Sequence, residues 1–127
     1  MNIRNAFATG MVLALAATAA TALPASAKGG DVVRRGSCSG STNWKIKAGH
    51  EDGRIEVEGE IDSNHNGQTW HWRIRHNGSS SASGTATTKA PSGSFDRRRL
   101  LVDVKGTDKI EFRAEHGKEV CAGTVRF

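Results

Sequence analysis

The chain has 127 residues, with 18 Lys and Arg against 13 Asp and Glu, and a formal net charge of +5 at pH 7. Because basic and acidic residues are interleaved and only 6% of the residues are aromatic, we expect no nucleic-acid partner, which needs a basic face with exposed aromatic rings. The length fits one domain with a single two-layer core and excludes a second lobe.

The first 27 residues have the three parts of a secretory signal peptide. Arg4 supplies the positive start, an apolar run covers 11–20, and small residues lead to a cleavage point after Ala27. The apolar run is too short to be a membrane anchor. We therefore predict a secreted, extracellular protein with no membrane span, whose mature form is the single domain 28–127.

Two cysteines, Cys38 and Cys121, are predicted to form one disulfide in the oxidising extracellular compartment. The loop closed by this bond is roughly 80 residues long, and its closure contributes on the order of 4 kcal/mol in the chain-entropy model. The alternative is a reactive thiol, because residues 36–40 resemble a nucleophile elbow with cysteine in place of serine. That elbow requires a following helix, which the sequence does not predict.

The mature region repeatedly alternates apolar and polar residues with a period of two, which is typical of half-buried strands. Residues 54–62 are the clearest case, and 70–76 alternate in the same way. The same pattern predicts four more strands, separated by turn residues such as Asn77-Gly78: 44–48, 100–104, 109–115 and 119–127. The serine-rich segment 79–83 is either a loop or a polar edge strand.

Seven to eight short strands predict an all-β fold, an antiparallel β-sandwich of immunoglobulin-like topology or a small barrel. The predicted disulfide joins the first strand to the last, unlike the bond inside an antibody domain. The sequence therefore predicts an architecture without assigning a fold family.

The strands 54–62 and 70–76 are predicted to pair as a hairpin. In the expected register Gly59 faces Trp72, where a bulky indole needs room. The outer face of this hairpin sets an acidic row against a basic row: Glu58 opposite Arg73 and Glu56 opposite Arg75. The register therefore predicts that the two rows neutralise each other.

Residues 62–67 match the first half of a calcium-binding loop, D-x-[DN]-x-[DN]-G. The side-chain oxygens of Asp62, Asn64 and Asn66 are the candidate ligands. The twelfth position is Arg73 instead of a bidentate glutamate, so any calcium site is predicted to be weak, in about the millimolar range. The alternative is a polar turn that Asn and Gly favour for their backbone geometry. No other cofactor is predicted.

The aromatic and imidazole side chains offer two further candidate sites. Three histidines lie near the predicted hairpin without converging as a metal site requires: His65, His71 and His76. The tryptophans share strand faces with aliphatic residues, which favours core packing over a carbohydrate-stacking platform: Trp44, Trp70 and Trp72.

The charged rows offer two more candidates. The acidic row 56–62 contains carboxylates, the residue type that glycosidases use in pairs. A general acid needs an apolar pocket that raises its pKa. These carboxylates are expected to face cations, which favours structural pairing over catalysis. The basic run 97–99 alternates between faces if it lies in a strand, whereas a loop or bulge there presents all three arginines to an anionic partner. No catalytic constellation is found, so the sequence predicts a protein that is not an enzyme.

The region 44–127 contains four short motifs: EDGRIEVEG at 51–59, DSN followed by NGQ within 62–68, W-x-W at 70–72 and GSF at 93–95. Through them the chain resembles small secreted actinobacterial single-domain proteins of unknown function. The resemblance implies a standalone exported domain and assigns no site residues.

The favoured prediction is a monomeric, non-enzymatic module that binds an extracellular protein, a cell-wall polymer or a glycan. One alternative is a weak calcium-binding module. Another is a small secreted hydrolase or protease inhibitor, with 87–93 as the inhibitory loop.

Overall fold

A computed structural model describes residues 30–127, and the predicted signal peptide lies outside the described residues. This part of the chain forms eight strands: β1 Val32–Ser37, β2 Asn43–Glu51, β3 Arg54–Asp62, β4 Thr69–His76, β5 Ser79–Thr87, β6 Ser94–Val102, β7 Lys109–His116 and β8 Glu119–Arg126. Within this range there is no helix long and apolar enough to span a membrane.

The strands form two four-stranded antiparallel sheets. Sheet A has the order β1-β2-β3-β6, and sheet B has the order β5-β4-β7-β8. The predicted all-β antiparallel sandwich is therefore confirmed, and the eight strands lie in two separate sheets rather than in one closed barrel.

The β1/β8 side of the sandwich is held together covalently. Cys38 and Cys121 form the predicted disulfide, and Cys121 is fully buried. Beside it, the backbone N–H of Ser39 donates to the carbonyl of Val120 over 2.9 Å. The thiol alternative is therefore wrong, and the first strand is tied to the last as predicted.

The core lies between the sheets, on the faces that the period-two alternation predicts. Trp70, Ile74 and Phe112 are its largest members from sheet B, and each is at most 1% exposed. Trp44 and Trp72 are half-buried and pack against this core. The preference for core packing over an exposed tryptophan platform is thus confirmed.

The predicted hairpin between 54–62 and 70–76 is wrong, because β3 and β4 lie in different sheets. β3 pairs with β2 and β6, whereas β4 pairs with β5 and β7. The segment between them crosses from one sheet to the other and is fixed by buried hydroxyl groups. Ser63 Oγ donates to the carbonyl of Gly93 over 3.0 Å, and Thr88 Oγ1 donates to the carbonyl of His65 over 2.6 Å.

Gly59 does provide room for an aromatic ring, but the ring is not the predicted one. A Cβ atom at this position would lie 2.5 Å from Cδ2 of Phe112, a distance that real Cβ atoms do not show. The glycine of sheet A therefore allows a phenylalanine of sheet B to approach its backbone. The predicted contact with Trp72 is replaced by this contact across the core.

The acidic row of β3 is neutralised within its own sheet. Lys45 Nζ lies 3.3 Å from Glu60 Oε2, and Arg98 Nε lies 2.9 Å from Glu58 Oε2. The cations come from β2 and β6, and not from β4 as the hairpin required. The acids face cations as predicted, but Arg73 is left on the other sheet without its predicted partner.

Two strands differ from the sequence prediction, and a third settles an alternative that it left open. No range was predicted for β1, and 79–83 lies in a polar edge strand, one of the two alternatives for this segment. The predicted strand 100–104 begins earlier, at Ser94, and ends at Val102. Because β6 pairs with β3 in unbroken register, the basic run 97–99 has no bulge and alternates between the two faces.

Candidate functional site

The outer face of sheet A is balanced in charge. Lys45 is paired with Glu60, and Lys47 Nζ lies 3.2 Å from Asp31 Oδ2. Arg98 contacts both Glu58 and Glu56. Basic residues do not outnumber acidic ones among the strand residues of this face, so it offers no excess of positive charge to a ligand.

The outer face of sheet B carries an excess of positive charge. Register and alternation place five basic side chains on it: Arg73, Arg75, Lys109, Arg113 and Arg126. The same face holds two acidic side chains, Glu111 and Glu115. Among residues 30–127, neither Arg73 nor Arg75 is within ion-pair distance of a carboxylate.

Two of these arginines stand directly opposite one another. Arg73 of β4 and Arg113 of β7 are cross-strand partners, and like charges in this position repel. Arg113 Nε donates to Glu115 Oε1 over 2.7 Å. Arg73 Nε is buried from solvent and has no acceptor in the described structure. The pair therefore combines repulsion with an unsatisfied donor.

The shape of this face follows from the side chains of its four strands. The central strands β4 and β7 carry Arg73, Arg75 and Arg113, which we call the arginine ridge. The outer strands β5 and β8 carry small side chains on the same face: Ser83, Thr85, Ala122 and Thr124. Because long side chains stand between rows of short ones, a groove runs along each side of the ridge.

Both grooves are lined by Arg73 and Arg113. The groove over β5 has a volume of about 350 Å³ and also includes His71 and Glu115. The groove over β8 has a volume of about 370 Å³ and also includes Arg75. A ligand in either groove therefore meets the same two arginines.

The floor of the groove over β8 is the backbone of sheet B. Gly123 faces the core there, and a Cβ atom would collide with the indole of Trp44 on the inner side of the sheet. Trp44 packs against the core and Phe112 is 1% exposed, so both rings lie behind this floor. The arginine side chains therefore supply the contacts that a ligand in this groove can make.

The predicted calcium ligands lie in the segment that crosses between the sheets. Asp62 Oδ1 accepts a hydrogen bond from the backbone N–H of Asn64 over 3.2 Å, and Asn64 has a positive φ of 59°. Asn64 and Asn66 are exposed. Residues 30–127 contain no group of three or more His, Cys, Asp or Glu placed to hold a metal ion. A calcium site that uses the two amides stays a prediction.

The three histidines have separate environments. His65 and His71 are exposed, in the crossing segment and on the outer face of sheet B. His76 Nε2 lies 2.6 Å from Oδ1 of Asp108, which is 1% exposed. The structure does not bring these imidazoles together.

The predicted inhibitory loop 87–93 is anchored within the protein. Thr88 is 2% exposed and hydrogen-bonds to the crossing segment, and Gly93 is buried against His65. Thr87 and the four residues 89–92 are exposed. The inhibitor hypothesis stays a prediction.

Sequence reasoning missed the arginine ridge for one reason. The expected hairpin assigned Arg73 and Arg75 to Glu58 and Glu56, which removed their charge from consideration. The alternation itself placed both arginines outward, and this signal was correct. Nothing in the sequence pairs β4 with β7, so the role of Arg113 had no signal.

Comparisons with protein-family models, with curated proteins and with solved structures find no match to this chain. No relative therefore suggests a ligand or an activity.

Proposed function

We propose that the protein is an exported, non-catalytic module that binds an anionic extracellular polymer through the arginine ridge. The observation that carries the proposal is the opposition of Arg73 and Arg113 on the outer face of sheet B. Two facing guanidinium groups repel each other in the free protein. A phosphate or carboxylate between them changes this repulsion into two charge-assisted contacts.

The extent of the basic surface favours a polymer over a single small anion. Along β7 the cations run from Lys109 to Arg113, five residues that span roughly 13 Å of extended strand, and Arg73 and Arg75 lie beside them on β4. Arg126 lies opposite Lys109 at one end of this row. A chain of repeated anionic groups can contact several of these cations at once.

The expected energies lead to the same conclusion. An exposed ion pair contributes roughly 0.2–1 kcal/mol, so the three arginines of the ridge together give on the order of 1–3 kcal/mol for isolated anions. This corresponds to weak binding of a single phosphate. Linking the anionic groups in one polymer raises their effective concentration and with it the affinity.

Two features support export. The first 27 residues have the pattern of a signal peptide, and the disulfide between Cys38 and Cys121 is of the kind that persists in oxidising compartments. Expression of the full chain in a secreting bacterial host tests this part. We expect oxidised protein in the medium with Lys28 as its first residue; retention in the cytoplasm would contradict export.

Binding is tested with two immobilised anionic polymers, polyphosphate and polyglutamate, and with neutral dextran as the reference. We expect saturable retention on an anionic polymer that decreases as salt increases. The double variant R73Q/R113Q is expected to lose at least tenfold in affinity.

The matched control is R34Q/R35Q, which removes the same two positive charges from β1 of sheet A. We expect it to stay within twofold of the wild type. Equal losses in the two double variants would mean that net charge alone causes retention, and the ridge would then not be the site. No retention on either polymer would contradict anionic-polymer binding itself.

A further inference from the structure

The side of the sandwich opposite the disulfide is formed by β5 and β6, the edge strands of sheets B and A, which contact each other. The free edge of a sheet presents backbone N–H and C=O groups that have no partner strand. An extended peptide can pair with such an edge and lengthen the sheet.

β5 lacks the features that usually prevent such pairing. It is nine residues long and contains no charged residue and no proline. β6 carries four charged residues, and β1 is only six residues long with two arginines. The pairing of β5 with β4 is irregular near Ile74 and regular over 82–87. This regular half is the part of the edge that can accept a partner strand.

The entrance to the core beside this edge is basic. Arg97 and Arg99 share the inner face of β6, and Arg97 lies 5.9 Å over the ring of Trp72. Lys89 lines the same opening, a groove of about 530 Å³ with Asp96 as its acidic residue. None of these three cations has a carboxylate within ion-pair distance among residues 30–127.

We propose that an acidic, extended segment of another protein adds to β5 as a fifth strand of sheet B. Alternate side chains of an added strand point toward the core side of the sheet, and acidic ones there meet Arg97 and Arg99. A second copy of this chain fits this edge less well than an acidic segment does. Symmetric pairing of two β5 strands would bring Arg97 and Arg99 of the two copies together, and these like charges repel each other.

The site is separate from the arginine ridge, since it uses the edge of sheet B instead of its outer face. The test uses a seven-residue peptide of alternating glutamate and threonine, blocked at both ends, with the oxidised protein. Its affinity is measured by calorimetry. Amide hydrogen exchange of 82–87 is measured by NMR, because pairing protects the outward N–H groups of β5 and a purely ionic contact does not.

Two altered peptides and three variants complete the design. A peptide with lysine in place of glutamate, and one with alternate backbone nitrogens methylated, should each bind at least tenfold more weakly. R97Q/R99Q should lose at least tenfold in affinity, while R34Q/R35Q should stay within twofold. R99Q alone should lose at least threefold, and it keeps the test valid if R97Q unfolds the domain by removing its contact with Trp72.

Binding without slower exchange in 82–87 would overturn the strand addition. If the methylated peptide bound as tightly as the unmethylated one, strand addition would also be overturned. Protection of 82–87 that rises with protein concentration in the absence of peptide would instead assign the edge to a second copy of the chain.

Discussion

Substitution of Gly59 by alanine tests the contact between the two sheets. The added Cβ atom would lie 2.5, 2.6 and 2.7 Å from three ring atoms of Phe112. Both positions are buried, with Phe112 at 1% exposure, so the ring can move only by displacing its neighbours.

The magnitude follows from two opposing effects. Overpacking of a core costs roughly 1–3 kcal/mol, and alanine in place of a strand glycine recovers roughly 0.5–1 kcal/mol of backbone entropy. At the centres of these ranges the net loss in the free energy of unfolding of G59A is about 1.2 kcal/mol. For a domain of this size that is a fall of about 5–10 °C in Tm.

A double-mutant cycle identifies the neighbour of Gly59. Urea denaturation gives the free energy of unfolding of G59A, F112L and the double variant. Because leucine removes the ring atoms that the new methyl group would meet, we expect a favourable coupling of about 1 kcal/mol. The corresponding cycle with W72L should show a coupling below about 0.5 kcal/mol. If W72L and not F112L reduced the destabilisation caused by G59A, the two-sheet arrangement would be refuted and the hairpin register would be supported.

Three further predictions concern the disulfide, a turn and the candidate calcium loop. Replacing Cys38 and Cys121 by alanine removes a cross-link between positions that are 83 residues apart. In the chain-entropy model the free energy of unfolding, measured by urea denaturation, should fall by about 4.5 kcal/mol. A fall below about 1 kcal/mol would contradict this model. Gly78 has a φ of +83°, so G78A should cost about 1–2 kcal/mol through backbone strain alone, and an unchanged Tm would refute this. D62A removes the acceptor for the N–H of Asn64 and should lower the free energy of unfolding by about 0.5–1.5 kcal/mol. We expect the same loss with and without millimolar calcium. A calcium-induced rise in Tm that occurs in the wild type and not in D62A would instead establish the calcium site.

The sequence predicted the faces of the strands well and their partners poorly. The alternation in 54–62 marks its buried positions correctly, because a period of two follows from the geometry of any strand. The same alternation is compatible with several partner strands. The six residues between Asp62 and Thr69 had the length of a hairpin connection, but they cross between sheets and are fixed by the buried hydroxyls of Ser63 and Thr88.

The candidate binding surface was hidden by that one error. With β4 placed beside β3, the charges of Arg73 and Glu58 cancelled. With β4 placed beside β7, Arg73 meets Arg113, and the outer face of sheet B acquires unmatched positive charge. Neither partner of a long-range strand pair can be read from the local pattern of a single sequence, so this surface became visible only with the sheet order.

The central claim, that Arg73 is held against Arg113 for the binding of an anion, is tested most directly by thermal unfolding of the wild type and R73Q with and without polyphosphate. Without polymer, R73Q should have the same Tm or a higher one, since the substitution relieves a repulsion of roughly 0.2–1 kcal/mol. With polymer, the wild type should be stabilised and R73Q much less so, because a ligand that binds only the folded state stabilises it by RT ln(1 + [L]/Kd), which increases with affinity. A lower Tm of free R73Q together with an unchanged polymer-induced rise would contradict the claim and make Arg73 a structural residue.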